Sequence, residues 1–163
     1  YTLKLEGVTC TGSQTFTIGR VLDPYIIARV DSWLAEMKVF FAERLKELMG
    51  KTLGKEVLLD ISQYGNNAVM GELEKSSAQI PNEIGLLFCV TVPEQALAND
   101  VASFITHTAS HWPIPEWDGF ISGIAFPFSP PEIDRGPVYR FTLNHILIPE
   151  SPLSAFRFEM ENI

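Results

Sequence analysis

Cysteine is scarce in this chain, cations are outnumbered, and no apolar run is long. Only two of the 163 residues are cysteine, Cys10 and Cys89. They stand far apart, with no CxxC pair and no Cys-rich cluster, so a structural zinc site of that kind is excluded. The expectation is two buried, reduced thiols in a cytosolic protein. Lysine and arginine number 12 against 20 acidic residues, a formal charge of −8. A surface of that sign repels phosphate backbones, and no basic block offsets it, so no nucleic-acid partner is expected. The longest apolar stretches, such as Ile84 to Val92, stop well short of the roughly 20 residues a membrane helix needs. No membrane association is expected. GxSxG, Walker-type and GxGxxG motifs are all missing, so neither a Ser-His-Asp hydrolase nor a nucleotide-binding site has support. No cofactor is implied.

What is present suits one globular domain: 46% hydrophobic and 20% charged residues over a length that fits a single core. The chain opens at Tyr1 inside a strand-like pattern, without Met or a polar leader. This suggests a segment of a longer polypeptide or a processed chain, with a cytoplasmic location.

LKLEGV and TFTIGRV read as two short strands with CTGSQ turning between them. Asp23-Pro24 is a helix start, Asp as N-cap and Pro at the first helical position. From there Ile26, Val30, Trp33, Leu34, Met37, Phe41 and Leu45 recur at spacings of three and four. That is one long amphipathic helix closed by Gly50. Residues 56 to 64 read as a strand, broken by Gly65-Asn66-Asn67. EIGLLFCVTV is a nearly continuous apolar strand, as at the centre of a sheet. After Pro93, Leu97, Val101, Phe104, Ile105 and Trp112 mark a second helix, stopped by Pro113 and Pro115. VYRFTLNHILI is a final strand and the last dozen residues a loose tail. The order predicts an α+β fold: a two-layer sandwich, a mostly antiparallel sheet with two main helices on one face and a possible ββα duplication.

Two of the three histidines, His107 and His111, sit at i and i+4 on the second helix, which stacks their rings on one face. Helical metal sites use that spacing. A zincin helix, however, carries Glu directly after the first His, and here Thr108 stands there. No third ligand follows by spacing, so no metal is assigned. His107 reads as a solvated residue, and His111 is favoured near a helix C-terminus by the dipole. Elsewhere, QYGNNAVMGELE concentrates Asn66, Asn67, Gly71 and Glu74 just after a strand. A tight turn explains Gly65 and Asn66. The same segment can also hold a carboxylate, amide or thioester oxygen on Asn, with Glu moving a proton if burial raises its pKa.

With GIAFPFSPPEIDRGPVYRFTLNHIL in view, the chain resembles the C-terminal region of the acyclic terpene utilisation protein A (AtuA) family. YTLKLEGV, LDPYIIARVDSWL, YGNNAVMGELE and EIGLLFCVTVPEQALAND also carry the resemblance, which runs nearly end to end. It implies an upstream α/β region in the same protein and a small ferredoxin-fold companion. It also implies bacterial breakdown of acyclic terpenes and branched acids through acyl-CoA intermediates. His111 and Trp112 fit the family's His-aromatic pair; Asn67, Gly71 and Glu74 fit its turn; Ser129, Gly136, Pro137, Tyr139 and His145 fit its C-terminal pattern. The departure is PIPEWDGFISG, where the family runs through Gly-Arg and Gly-Asn and this chain has Trp117-Asp118-Gly119 and Ser122-Gly123.

Two functional expectations follow. In one, the chain contributes to a hydratase- or dehydratase-type step (a hydro-lyase component) on an acyl-CoA or carboxylic acid. His111 and His145 are then the acid/base candidates, Glu74 the proton acceptor and Asn67 the oxygen holder. In the other it is a non-catalytic assembly module that docks on the upstream α/β domain or the small companion. A homo-oligomer is expected in either case.

Overall fold

The computed structural model describes residues 1–50, 57–73, 80–116 and 123–161. In chain order the elements are β1 (Leu3–Val21), α1 (Pro24–Ile27), α2 (Val30–Gly50), β2 (Leu58–Tyr64), a 3-10 turn (Gly71–Leu73), β3 (Ile84–Val92), α3 (Gln95–Ser110) and β4 (Ile133–Leu147). The strands form a four-stranded antiparallel sheet in the order β2-β3-β1-β4, and the protein is an α+β sandwich, as expected.

The described residues divide into two compact units. The larger is Gly12–Pro137; the smaller joins Tyr1–Thr11 to Val138–Ile163.

In the larger unit β3 is central. It pairs antiparallel with β1 from Ser13↔Val92 to Val21↔Ile84 and with β2 from Leu58↔Thr91 to Tyr64↔Gly85. Alternation puts Ile84, Leu86, Phe88, Val90 and Val92 on one face, all buried. The helices close over that face. Asp23 caps α1 as its sequence predicts, Oδ1 accepting from the Tyr25 and Ile26 amides at 2.7 and 3.3 Å. The long helix is not continuous: α1 stops at Ile27 and α2 restarts at Val30. From there Val30, Trp33, Leu34, Met37, Phe41 and Leu45 form a buried stripe. Each contributes about 1.5–3 kcal/mol of burial. Phe41 meets Phe104 of α3 edge-on, with centroids 6.2 Å apart.

Two expectations need correction. CTGSQ is not a turn. Residues 3 to 21 make one strand, because Cys, Thr, Ser and Gln all sustain extended backbone. Gly12 alone departs, at φ +146, where a Cβ would sit 2.5 Å from the Val92 carbonyl oxygen. The first half of the chain therefore supplies one strand before its helices, against β2 and β3 before α3. The cysteines are also not both buried: Cys10 is exposed and Cys89 half-buried, and neither is in a disulfide.

The smaller unit is a ribbon built from the first part of β1 and the last part of β4. Thr9 and Thr142 share a hydroxyl–hydroxyl hydrogen bond at 3.0 Å, and Thr11 Oγ1 donates to the Val138 carbonyl at 3.3 Å. A one-turn segment follows, in which the Ser154 amide donates to the Ser151 carbonyl at 3.2 Å. Nearly every side chain of this unit is exposed.

Candidate functional site

The expected acid/base residues lie on separate elements. His111 is the C-cap of α3, its backbone N–H turned to the carbonyls of Thr108 and Ala109, and its ring is exposed. The ring lies 5.1 Å from that of His107, edge to face, so the i, i+4 pairing is real. Among the described residues, no group of three His, Cys, Asp or Glu is placed to hold a metal. Trp112 beside His111 is a packing residue, 5.1 Å from Phe40 and 6.5 Å from Phe41 between ring centroids.

Asn67 lies half-buried in the turn after β2. The amides of Asn66, Asn67 and Ala68 all donate to the Gln63 carbonyl, and the Asn67 carbonyl accepts from Gly71 at 2.8 Å. Gly65 opens this turn at φ +93, a conformation side chains resist. The turn is fastened to the start of α2: Gln63 Nε2 and Asn66 Nδ2 both donate to Asp31 Oδ1, at 3.0 and 3.4 Å. Trp112 packs instead on Phe40 and Phe41, two and a half turns further along α2, roughly 13 Å away at 1.5 Å per residue. Asn67 and His111 belong to the same unit, one in the turn after β2 and the other at the end of α3. His145 belongs to the other unit, exposed on β4. Glu74 and the Trp117–Ser122 departure lie outside the described residues.

Two neighbouring depressions flank the junction of α1 and α2. An open groove of about 390 Å³ is lined by Arg29, Asp31, Ser32, Asn66 and Pro81, among others. A smaller apolar pocket lies between Tyr25, Trp33, Ile114 and Pro115. Arg29 and Ser32 border both. The Arg29 guanidinium lies 3.9 Å over the Tyr25 ring, and Nη1 donates to the Tyr25 carbonyl at 3.4 Å. Among the described residues no carboxylate pairs with it. The Tyr25 hydroxyl donates to the Pro115 carbonyl at 2.9 Å, with Glu116 Oε2 at 3.1 Å. Partial burial and the Glu116 contact both hold its pKa above the ordinary phenol value. Arg29 carried no sequence signal: it is one of 12 cations in an acidic chain, and only the helix break gives it its place.

A polar seam between β1 and α3 also escaped the sequence. Gln95 Nε2 donates to Thr15 Oγ1 at 2.7 Å and lies 3.1 Å from Asn99 Oδ1, which also accepts from the Thr15 hydroxyl. Thr106 Oγ1 donates to the Ala102 carbonyl at 2.8 Å and lies 3.4 Å from Thr17 Oγ1. Among the described residues, Gln95 Oε1 is buried with no donor. These groups mostly satisfy one another, which describes a helix–sheet junction rather than a reactive centre.

The most exposed chemistry is apolar and belongs to the smaller unit. On β4, Tyr139, Phe141, Leu143, His145 and Leu147 follow at intervals of two and so share a face. Tyr139 is 61% exposed, Phe141 70%, Leu143 46% and Leu147 38%. The intervening residues are Arg140, Thr142, Asn144 and the apolar Ile146, itself 63% exposed. From Tyr139 to Asn144 the alternation is that of a strand with one covered face, yet among the described residues nothing covers the apolar side. Phe156 and Phe158, with ring centroids 6.5 Å apart, are also exposed. No family model matches the chain, and comparison with curated proteins and with solved structures returns no match.

Proposed function

We propose that this chain is an AtuA-like domain serving the breakdown of acyclic terpenes or branched acids, and that its own role is assembly rather than acid–base chemistry. One observation carries the assembly role: the apolar row of β4 has the period of a covered strand face and is open. Contiguous exposed apolar surface of that kind marks an interaction site. The AtuA-like assignment rests on the ordered resemblance from YTLKLEGV to GPVYRFTLNHIL. In this reading the hydration- or dehydration-type step on the acyl-CoA belongs to the upstream α/β region. Calorimetric titration of the chain with isovaleryl-CoA tests it. The reading expects no saturable heat; saturable binding at micromolar concentration overturns it.

A second reading keeps contact with substrate, and the groove beside Arg29 favours it. A cation without a carboxylate partner, next to Ser32 and Asn66, is suited to the carboxylate of a branched acid. Asp31 stands in the same groove and opposes an anion, so this reading takes second place.

A further inference from the structure

We infer that His107 and His111 form an open, two-ligand site for one late first-row divalent ion, copper(II) ahead of nickel(II) or zinc(II). This goes beyond the assembly reading and does not depend on it.

Geometry comes first. Spacing at i and i+4 only allows two rings to meet. Here they do, with centroids 5.1 Å apart and planes inclined at 69°. Two imidazoles bound to one ion at about 2.0–2.1 Å, with a tetrahedral angle between them, hold their centroids roughly 5 Å apart. The pair therefore stands at chelating distance.

The backbone under the rings is fixed on both sides of the pair. His107 rides on a helix whose opposite side, with Val101, Ala102, Ile105, Thr106 and Ala109, is buried. His111 closes that helix, its amide donating to the Thr108 carbonyl at 3.2 Å. Directly beyond it Trp112 packs on Phe40, and the Pro113 carbonyl accepts the Trp33 indole N–H at 2.9 Å. Both imidazoles are exposed. The result is a pair held in place yet open to solvent, so capturing an ion costs little further ordering.

Donor chemistry selects the ion. Neutral imidazoles suit copper, nickel and zinc, whereas magnesium and calcium take oxygen ligands. Among the described residues no further His, Cys, Asp or Glu completes a set of three. The other coordination positions therefore go to water or to a donor carried by another molecule. A site with two protein ligands imposes little geometry, so affinity follows the intrinsic order, with copper(II) above nickel(II) and zinc(II). The local field agrees. The pair sits in the last turn of the 16-residue α3, at the negative end of its dipole. The formal charge of −8 also draws cations to the chain.

The test is calorimetric titration of the chain with copper(II), zinc(II) and magnesium(II) in a non-chelating buffer at neutral pH. The expected result is one copper(II) per chain, saturating in the micromolar range, weaker binding of zinc(II) and no saturable heat from magnesium(II). Electron paramagnetic resonance of the copper complex is expected to show coupling to two imidazole nitrogens. His107→Gln and His111→Gln each weaken copper(II) binding by about tenfold or more, since even a group that merely orients a ligand is worth about 10–100-fold. His145→Gln, in the other unit, leaves it unchanged. Far-UV circular dichroism confirms that each variant keeps its helices, so loss of folding is told apart from loss of a ligand. No saturation at submillimolar copper(II) overturns the proposal, and so does saturation indifferent to His107→Gln. Neither outcome alters the isovaleryl-CoA titration, on which the assembly reading stands or falls.

Discussion

The indole N–H of Trp33 donates to the carbonyl of Pro113 at 2.9 Å. This bond ties the first turn of α2 to the segment leaving α3, and it fixes where the chain goes after its second helix. Trp33 is 3% exposed while Pro113 is exposed, so the bond is half-buried. Trp33→Phe keeps most of the ring and leaves the carbonyl without its donor. The expected cost is about 0.5–1.5 kcal/mol, the net contribution of one hydrogen bond. Urea denaturation followed by circular dichroism measures it. A midpoint unchanged from the parent would show that the bond contributes nothing.

Phe41 is fully buried between the helices, touching Phe104 and Trp112. Phe41→Ala is expected to destabilise by about 3–5 kcal/mol, transfer and cavity together. Phe41→Leu is expected to lose much less. Thermal unfolding of the pair orders them. Similar losses from both would mean the site collapses freely.

Much of this layer is legible from residues. Asp23-Pro24 marks a helix start and is one. The stripe from Val30 to Leu45 spells a helix face, and the face is buried. What the pattern conceals is polarity within strands. In TFTI the aromatic and aliphatic residues invite the core, but Thr15 and Thr17 are the buried pair and Phe16 and Ile18 the half-buried one. Register decides this: Val21, Gly19 and Thr17 stand opposite Ile84, Leu86 and Phe88, and alternation carries Thr15 inward with them. The break between α1 and α2 is equally silent, since Ala28 and Arg29 are ordinary helix residues. Asn67, His111 and His145 are polar marks on separate elements, and spacing along a chain says nothing about which turns share a rim. The strand VYRFTLNHILI was readable as a strand; that its apolar side stays open was not.

Cys89 sits on β3 directly across from Asp60 of β2. Burial pushes its thiol pKa up, the Asp60 carboxylate adds to this, and Arg135 opposes it. A raised acid favours the neutral form in the folded state. Its contribution to stability is therefore whole below the unfolded thiol pKa and is lost as pH rises through the folded one. In a Cys10→Ser background, iodoacetamide labelling of Cys89 should reach half its maximal rate at higher pH than a free cysteine does. Asp60→Asn should shift that midpoint down. A midpoint at the free-thiol value, unmoved by Asp60→Asn, would refute the assignment.

Arg29 separates the two functional readings. The indole of Trp33 lines the pocket beside it, so fluorescence reports on the site. Titration with isovalerate is expected to leave the emission unchanged. A saturable change that weakens tenfold or more in Arg29→Gln, the scale of a charged hydrogen bond, would instead establish the substrate-contact reading.

The central claim is that the open apolar row of β4 serves assembly, and amide exchange reads that most directly. Hydrogen–deuterium exchange over residues 138–147 is compared at low and high protein concentration, with the α3 amides as internal reference. The account predicts that protection of 138–147 rises with concentration while α3 stays constant. Equal exchange of 138–147 at both concentrations, in a chain whose α3 amides remain protected, would contradict it.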